Sequence, residues 1–227
     1  MVGKRLKKLT RKNLARMIDH TQLKPDATFE QIEKLCNEAV EYGFFAVVIN
    51  PSYVGYVREL VKDKGVKIAS VVGFPLGAAT TEVKVFETKD LIKKGVDEVD
   101  MVMNIGAFKS QEYEVVEKDI ESVVEAANGR CVKVILETCY LTDKEKVIAC
   151  KLAKIAGASF VKTSTGFGGA GATVSDVRLM RKTVGNDMGV KAAGGIRDYT
   201  TAVEMIKAGA NRIGVSSSVS IIVGIKQ

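Results

Sequence analysis

Three charged residues lie inside segments that otherwise have the composition of buried β-strands. Lys162 lies within SFVKTST, Asp100 within EVDMVMN, and Lys191 near the start of VKAAGGI. A strand of a parallel sheet that is covered on both faces is normally apolar throughout, and an isolated buried charge is costly. A single lysine of this kind often belongs to a structural ion pair or points outward between helices. Two lysines on consecutive strands with a carboxylate nearby favour catalysis by an amine nucleophile.

An amine nucleophile must be a neutral lysine. With an ordinary pKa of about 10.4, a lysine is neutral in only about one molecule in 2,500 at neutral pH. A second cation close by lowers that pKa, and burial lowers it as well. A decrease of about three units corresponds to about 4 kcal/mol, which burial and one close like charge can supply together. The sequence therefore indicates one nucleophilic lysine whose pKa is lowered by a second.

Eight β-rich segments recur along the chain, with ten or more residues of helical pattern between them. They are ARMIDHT, FFAVVIN, KIASVVGF, EVDMVMN, CVKVILET, SFVKTST, GVKAAGGI and NRIGVSS. Alternating strands and helices form parallel sheets, and eight units of about 28 residues match a (β/α)₈ repeat. We predict one α/β domain over 1–227, a single (β/α)₈ TIM barrel. The alternative is an open doubly wound sheet, which the repeat number and the lack of GxGxxG after the first strand disfavour.

Helix starts are predicted at three threonines, because each precedes a Gln, Glu or Asp by three residues as in a capping box: Thr28, Thr142 and Thr173. The segment LTRKNLARM predicts an extra helix before the first strand, at the lower end of the barrel. It overlaps a basic N-terminal helical segment over 1–14. Chemistry is expected at the opposite end, where the strands finish.

The net charge of +7 arises in the N-terminal segment, where seven basic residues precede the first acidic one, Asp19. The rest of the chain carries 27 basic and 27 acidic residues. A balanced body disfavours a nucleic-acid-binding protein, the alternative from a different class. No apolar run approaches the roughly 20 residues that span a bilayer, and no signal-like stretch is present, so we expect a cytoplasmic protein without a membrane partner.

The cysteines and the single histidine predict no metal site. The four cysteines form no CxxC pair, which favours reduced and mostly buried thiols. His20 is the only histidine, so a histidine metal cluster is excluded, and we interpret it as a packing residue.

Five motifs resemble those of the deoxyribose-phosphate aldolases: IDHT, EVDMVMNIGAFK, KVILET, FVKTSTGF and KAAGGIR. The resemblance covers nearly the whole chain, and KTSTGF followed by KAAGGIR is highly specific. It implies a class I aldolase that reversibly cleaves 2-deoxy-D-ribose 5-phosphate to D-glyceraldehyde 3-phosphate and acetaldehyde through a lysine Schiff base. Another phosphate-handling barrel enzyme, such as a transaldolase or a sugar-phosphate isomerase, is the alternative.

The resemblance also implies residue roles. Lys162 would form the Schiff base, Lys191 would be the neighbouring cation, and Asp100 would transfer protons through a water. Asp19, Thr21 and Lys133 would line the pocket. No metal or organic cofactor is implied, because the iminium nitrogen is itself the electron sink. We expect a homo-oligomer, a dimer or tetramer.

A phosphate site is predicted in the loops after strands seven and eight, where barrel enzymes commonly bind phosphate through backbone amides. Those loops read AAGGIR and GVSSSVS, and the predicted site consists of Gly194, Gly195, Ser216 and Ser217, with Gly166 from the loop after strand six. The alternative is that the serines only cap the last helix.

Two further positions bear on whether a thiol lies near the pocket. Val48 stands where many members of the family carry a cysteine. Cys139 could lie near the barrel mouth, but we interpret it as a packing residue.

Overall fold

The chain folds as a closed barrel of eight parallel strands. The computed structural model describes residues 9–224. The strands are β1 (Ile18–Gln22), β2 (Ala46–Ile49), β3 (Lys67–Val72), β4 (Glu98–Val102), β5 (Cys131–Ile135), β6 (Phe160–Lys162), β7 (Gly189–Ala193) and β8 (Arg212–Val215). Each strand pairs with the next, and β8 pairs with β1. The predicted (β/α)₈ TIM barrel is therefore confirmed, and the open doubly wound sheet is wrong.

Helices cover the outside of the barrel. They are α1 (Arg11–Ala15), α2 (Phe29–Tyr42), α3 (Val54–Val61), α4 (Thr81–Lys94), α5 (Ile105–Lys109), α6 (Tyr113–Ala126), α7 (Asp143–Ile155), α8 (Val174–Val184), α9 (Tyr199–Ala208) and α10 (Ser218–Val223). Short 3₁₀ turns over Pro51–Tyr53 and Thr138–Tyr140 follow β2 and β5. None of the helices within residues 9–224 is long and apolar enough to span a membrane.

The predicted helix starts are correct, but one of the three caps differs in detail. Thr28 and Thr142 form reciprocal capping boxes with Gln31 and Glu145. Thr173 accepts a hydrogen bond from the backbone nitrogen of Asp176, yet the Asp176 side chain does not return one. Its carboxylate lies instead 2.6 Å from Nζ of Lys146 on α7. A buried ion pair between α7 and α8 thus replaces half of the box.

The extra N-terminal helix is present as α1. It buries Leu14 and Ala15 and directly precedes the amino end of β1. It therefore lies at the end of the barrel opposite the carboxyl ends of the strands. Of the basic segment 1–14, residues 1–8, with Lys4, Arg5, Lys7 and Lys8, lie outside the described residues. The short helix α5 was not predicted. It begins after Asn104, whose side chain accepts a hydrogen bond from the backbone nitrogen of Ala107 at 3.0 Å.

The buried side chains form two apolar clusters and a set of charged residues. Most of the buried apolar residues form one cluster that includes residues of every strand and of the covering helices. A second, small apolar cluster contains Val48 of β2, Ala69 and Val71 of β3, and Leu23, with Phe74 packed against it. The buried charged residues that belong to strands come from the remaining ones, β1 and β4 to β8.

Candidate active site

The three charged residues singled out in the sequence meet inside the barrel. Lys162 is the last residue of β6, and its Nζ lies 2.9 Å from Oδ2 of Asp100 on β4. Nζ of Lys191, from β7, lies 2.8 Å from the same oxygen. Lys162 and Lys191 are paired in register, which places both amines on one side of the carboxylate. All three side chains are buried, with at most 3% of any of them exposed.

A third lysine holds the other oxygen of this carboxylate. Lys133 is paired in register with Asp100, and its Nζ lies 2.7 Å from Oδ1. It also lies 2.7 Å from Oε2 of Glu98. The sequence predicted Lys133 to line the pocket, and the structure buries it completely beside Asp100. Burial alone would lower the pKa of Lys133, but the surrounding Asp100, Asp19 and Glu98 raise it above its usual value.

Burial and charge act differently on the two central groups. Burial is the largest influence on Lys162 and lowers its pKa to about 8; Asp100 opposes this change, and Lys191 assists it. The sequence pattern predicts a neighbouring cation as the cause of the lowered pKa, but desolvation contributes more. Burial would raise the pKa of Asp100, but Lys133, Lys162 and Lys191 hold it well below its usual value. Asp100 is therefore a carboxylate beside an amine that is partly neutral near neutral pH.

Arg212 and Glu98, which were not predicted from the sequence, complete the network. Arg212 of β8 donates from Nη1 to Oδ1 of Asp19 at 2.8 Å and from Nη2 to Glu98 at 2.7 and 2.9 Å. Asp19 also lies 2.5 Å from Nζ of Lys191 through its Oδ2. Burial would raise the pKa of Asp19, but Lys191, Arg212 and Lys133 keep it below its usual value.

The loop between β6 and α8 is held by contacts to its neighbours. Glu137 is buried, has a positive φ of 53°, and accepts hydrogen bonds from the backbone nitrogen and the hydroxyl of Thr165. Further along the loop, the backbone nitrogen of Ala172 donates to the Gly194 carbonyl at 3.0 Å. Gly166 lies exposed between these two anchors. The sequence did not indicate Glu137, because its left-handed backbone and its partner depend on the assembled barrel.

The predicted phosphate-binding residues lie in three neighbouring loops at the carboxyl ends of the strands. Gly194 and Gly195 directly follow β7 with φ values of 87° and 77°, a region that favours glycine. Ser216 is exposed and Ser217 half-buried after β8. Ser217 stands at the N-cap position of α10 but makes no capping hydrogen bond there, so the capping alternative is not supported.

His20 is buried as predicted, and it also takes part in a hydrogen-bond chain. Its ring packs against Phe44, with the centroids 5.2 Å apart. Nε2 lies 2.7 Å from Oε2 of Glu38, and Nδ1 lies 2.8 Å from Oγ of Ser218. Burial lowers the pKa of His20. The neutral ring donates to the carboxylate and accepts from the serine, which connects β1 to the first residue of α10.

The remaining pocket residues lie near the same end of the barrel. Thr21 follows Asp19 by two residues on β1, is half-buried, and donates through Oγ1 to the Asp19 carbonyl at 3.0 Å. Val48 is fully buried in the small apolar cluster. Phe74, at the edge of that cluster, meets the ring of Phe167 from the β6–α8 loop edge to face, with the centroids 5.4 Å apart.

Comparison with known proteins identifies the family. A family model described as DeoC/LacD family aldolase matches residues 14–221. The chain belongs to this family. The deoxyribose-phosphate aldolase of Thermococcus kodakarensis is 62% identical over 220 residues, which cover 95% of this chain and 98% of that protein. The enzyme of Streptococcus sanguinis is 60% identical over 211 residues, 93% of this chain and 96% of that protein.

A solved structure agrees with the fold of this aldolase. The tetrameric deoxyribose phosphate aldolase of Aeropyrum pernix matches it with a TM-score of 0.89 and 38% identity, over 94% of this chain and 91% of that one. The resemblance stated from the sequence motifs is thus confirmed. The alternative of a basic nucleic-acid-binding protein is not supported.

The thiols of the aldolase are all free, and two of the four are buried, Cys36 and Cys150. Cys131 is half-buried, and Cys139 is exposed. A Cβ atom added at Gly168 would lie 3.1 Å from Sγ of Cys139, so this thiol borders the β6–α8 loop. Cys139 is not the buried packing residue that we expected.

Proposed function

We propose that this aldolase reversibly cleaves 2-deoxy-D-ribose 5-phosphate to D-glyceraldehyde 3-phosphate and acetaldehyde, with Lys162 as the Schiff-base lysine. The observation that carries the proposal is the position of the Lys162 amine. It is buried, its pKa is lowered to about 8, and it lies 2.9 Å from a carboxylate that is shared with Lys191. At pH 7 a pKa of about 8 leaves roughly one amine in ten neutral, against about one in 2,500 for an ordinary lysine.

The chemistry follows from that amine. Neutral Lys162 Nζ attacks the C1 aldehyde of the open-chain sugar, and loss of water gives an iminium ion. Removal of the proton from the C3 hydroxyl then breaks the C2–C3 bond, and its electron pair moves through C1 to the iminium nitrogen. D-Glyceraldehyde 3-phosphate leaves, and the enamine is protonated at C2. Addition of water to the resulting iminium releases acetaldehyde and restores the amine.

Asp100 is the group that we propose to move the protons. Its lowered pKa keeps it a carboxylate, so it accepts the C3 hydroxyl proton through a water and passes it on to C2. Lys133 and Lys191 hold its two oxygens in place at 2.7 and 2.8 Å. Asp19 and Thr21 of β1 complete the pocket beside Lys191. No part of this cycle requires a metal or an organic cofactor.

The phosphate is proposed to bind at the loops after β6, β7 and β8. Gly194 and Gly195 leave room for the phosphate oxygens to approach the backbone, Ser216 and Ser217 supply hydroxyls, and Gly166 closes the site from the β6–α8 loop. The donors are neutral amides and hydroxyls. We also propose that the enzyme is cytoplasmic and homo-oligomeric, a dimer or tetramer, as the Aeropyrum pernix relative is tetrameric.

Reductive trapping tests the nucleophile. Incubation with acetaldehyde followed by borohydride should leave an ethyl group on the peptide that contains FVKTST, because only a neutral amine forms the imine efficiently. Lys162→Arg should abolish this label. Lys151→Arg, at an exposed position on α7, is the matched control and should keep it. A label found chiefly on Lys191 or on another peptide would show that Lys162 is not the nucleophile.

A further inference from the structure

Arg212 connects two carboxylates, Asp19 and Glu98, each of which contacts one of the lysines beside Asp100. Its guanidinium bridges Asp19 and Glu98, and it stacks over the ring of Phe45, with its central carbon 3.4 Å from the centroid. Asp19 in turn lies 2.5 Å from Lys191, and Glu98 lies 2.7 Å from Lys133. Through these two carboxylates Arg212 is linked to Lys133 and Lys191, the two lysines besides Lys162 that contact Asp100.

The charges of this buried network count to zero only when Lys162 is neutral. Three carboxylates contribute negative charge: Asp19, Glu98 and Asp100. Three side chains besides Lys162 contribute positive charge: Lys133, Lys191 and Arg212. At least nine-tenths of each of these side chains is buried, so solvent screens their interactions weakly. A proton on Lys162 would give the network a net charge of +1.

We propose that Arg212 is a positioning residue that favours the neutral form of the Lys162 amine by supplying the third cation of this network. Without it, the network would carry a net charge of −1 with a neutral Lys162 and zero with a protonated one. The ammonium form would then be favoured up to a higher pH, and the neutral nucleophile would become scarcer over part of the working pH range. Removing Glu98 has the opposite effect, because it leaves one more positive charge against the Lys162 proton.

The charged groups of residues 9–224 that influence Lys162 most are part of this count. Asp100 on β4 is its direct partner, and the nearest like charges are Lys133 on β5 and Lys191 on β7. Asp19, Glu98 and Arg212 contact those lysines or one another. Cys131, at the start of β5 next to Lys133, is neutral near pH 7, because burial raises the pKa of its thiol to about 11. Within residues 9–224, Asp100 is the only charged side chain that forms an ion pair with Lys162.

This inference rests on the proposed function of Lys162, and its test is the pH dependence of imine trapping. The label on the FVKTST peptide is measured after a fixed short exposure to acetaldehyde, from about pH 5.5 to 10, in the full-length protein. Arg212→Met should move the midpoint of the acidic limb up by about one pH unit. Arg212→Lys keeps the charge and should restore most of the original midpoint. Glu98→Gln should move it down by a similar amount.

The double variant Arg212→Met with Glu98→Gln separates charge from structure. Its network is again neutral with a neutral Lys162, so its midpoint should return close to that of the unmodified enzyme. A purely structural role for either residue would lower the amount of label without moving the midpoints in opposite directions. If Arg212→Met does not fold, Glu98→Gln alone still tests the sign.

Two results are distinguishable. Midpoints that stay unchanged in every folded variant, while Lys162 is labelled, would overturn the role of Arg212. Absence of label on Lys162 in the unmodified enzyme would instead overturn the proposed function.

Discussion

Gly171 should be far less replaceable than its neighbour Gly169, although both lie in the exposed β6–α8 loop. A Cβ atom at position 171 would lie 2.3 Å from the carbonyl oxygen of Gly194 and 2.9 Å from the backbone nitrogen of Gly195. These are backbone atoms, so no side-chain rotation relieves the contact. A Cβ atom at position 169 would meet no heavy atom within 4 Å. Neither glycine has a left-handed φ, so alanine strains neither backbone by its conformation alone.

The size of the effect follows from what must move. To accommodate Gly171→Ala, the loop has to withdraw from the end of β7 and release the 3.0 Å hydrogen bond from Ala172 to Gly194. One such bond is worth about 1 kcal/mol, and forcing an extra methyl group into a packed contact costs about 1–3 kcal/mol. For a chain of this size each kcal/mol lowers Tm by about 2–4 °C. Gly169→Ala should change Tm by less than about 2 °C.

The same displacement should alter substrate preference, because Gly194 and Gly195 form part of the proposed phosphate site. In Gly171→Ala, kcat/KM for 2-deoxyribose 5-phosphate should fall by about tenfold or more, the effect of losing roughly 1.4 kcal/mol of binding. The value for unphosphorylated 2-deoxyribose should change much less. Thermal unfolding and the two kcat/KM values are measured for both variants. If Gly171→Ala behaves like Gly169→Ala in Tm and in preference, the close approach of this loop to β7 does not position the phosphate.

Three further predictions concern the reacting groups. Lys191→Leu removes a like charge, so the pKa of Lys162 should rise above about 8 and the acidic limb of the kcat/KM profile should move to higher pH; an unchanged limb would remove Lys191 from this role. Asp100→Asn should lower kcat by roughly 10² to 10⁴ while leaving borohydride trapping partly intact, since proton transfer and imine formation are separate steps; full turnover would mean that Asp100 is structural. Ser217→Asp should repel the substrate phosphate and strongly raise the KM for 2-deoxyribose 5-phosphate. Activity on 2-deoxyribose should be kept or improved, because its terminal hydroxyl can donate a hydrogen bond to the new carboxylate. If the preference for the phosphorylated sugar does not fall, the phosphate binds elsewhere.

The barrel and its central residues could be predicted because they leave local signals in the sequence. Eight apolar segments with helical patterns between them determine the repeat number, and the (β/α)₈ class follows from it. Lys162 and Asp100 interrupt such segments, so each is conspicuous without any knowledge of the partner strands. The motifs around them supplied the family resemblance that the comparisons confirm.

The rest of the network depends on register, which local patterns do not contain. Glu98 begins β4 and Arg212 begins β8, positions where a charged residue in a sequence is unremarkable. They meet only because the barrel closes and brings β8 and β4 to face each other across its interior. The leading influence of burial on Lys162 was underestimated for the same reason. The depth of a side chain at the end of a three-residue strand becomes known only when the surrounding strands are placed.

The charged part of the barrel is better explained by chemistry than by stability. Barrel interiors are normally filled by branched apolar side chains, and the cluster around Val48 and Val71 follows that rule. Buried ion pairs are weak stabilisers, since desolvation offsets most of their attraction, and well-packed apolar replacements are often neutral or stabilising. Three carboxylates and the cations Lys133, Lys191 and Arg212 thus occupy space that apolar residues would often fill without loss of stability. The apolar alternative lacks a place where a lysine amine is partly neutral near pH 7 while a carboxylate within hydrogen-bonding distance of it stays ionised. The network around Asp100 supplies both conditions at once, which accounts for a charged network in the core of this aldolase.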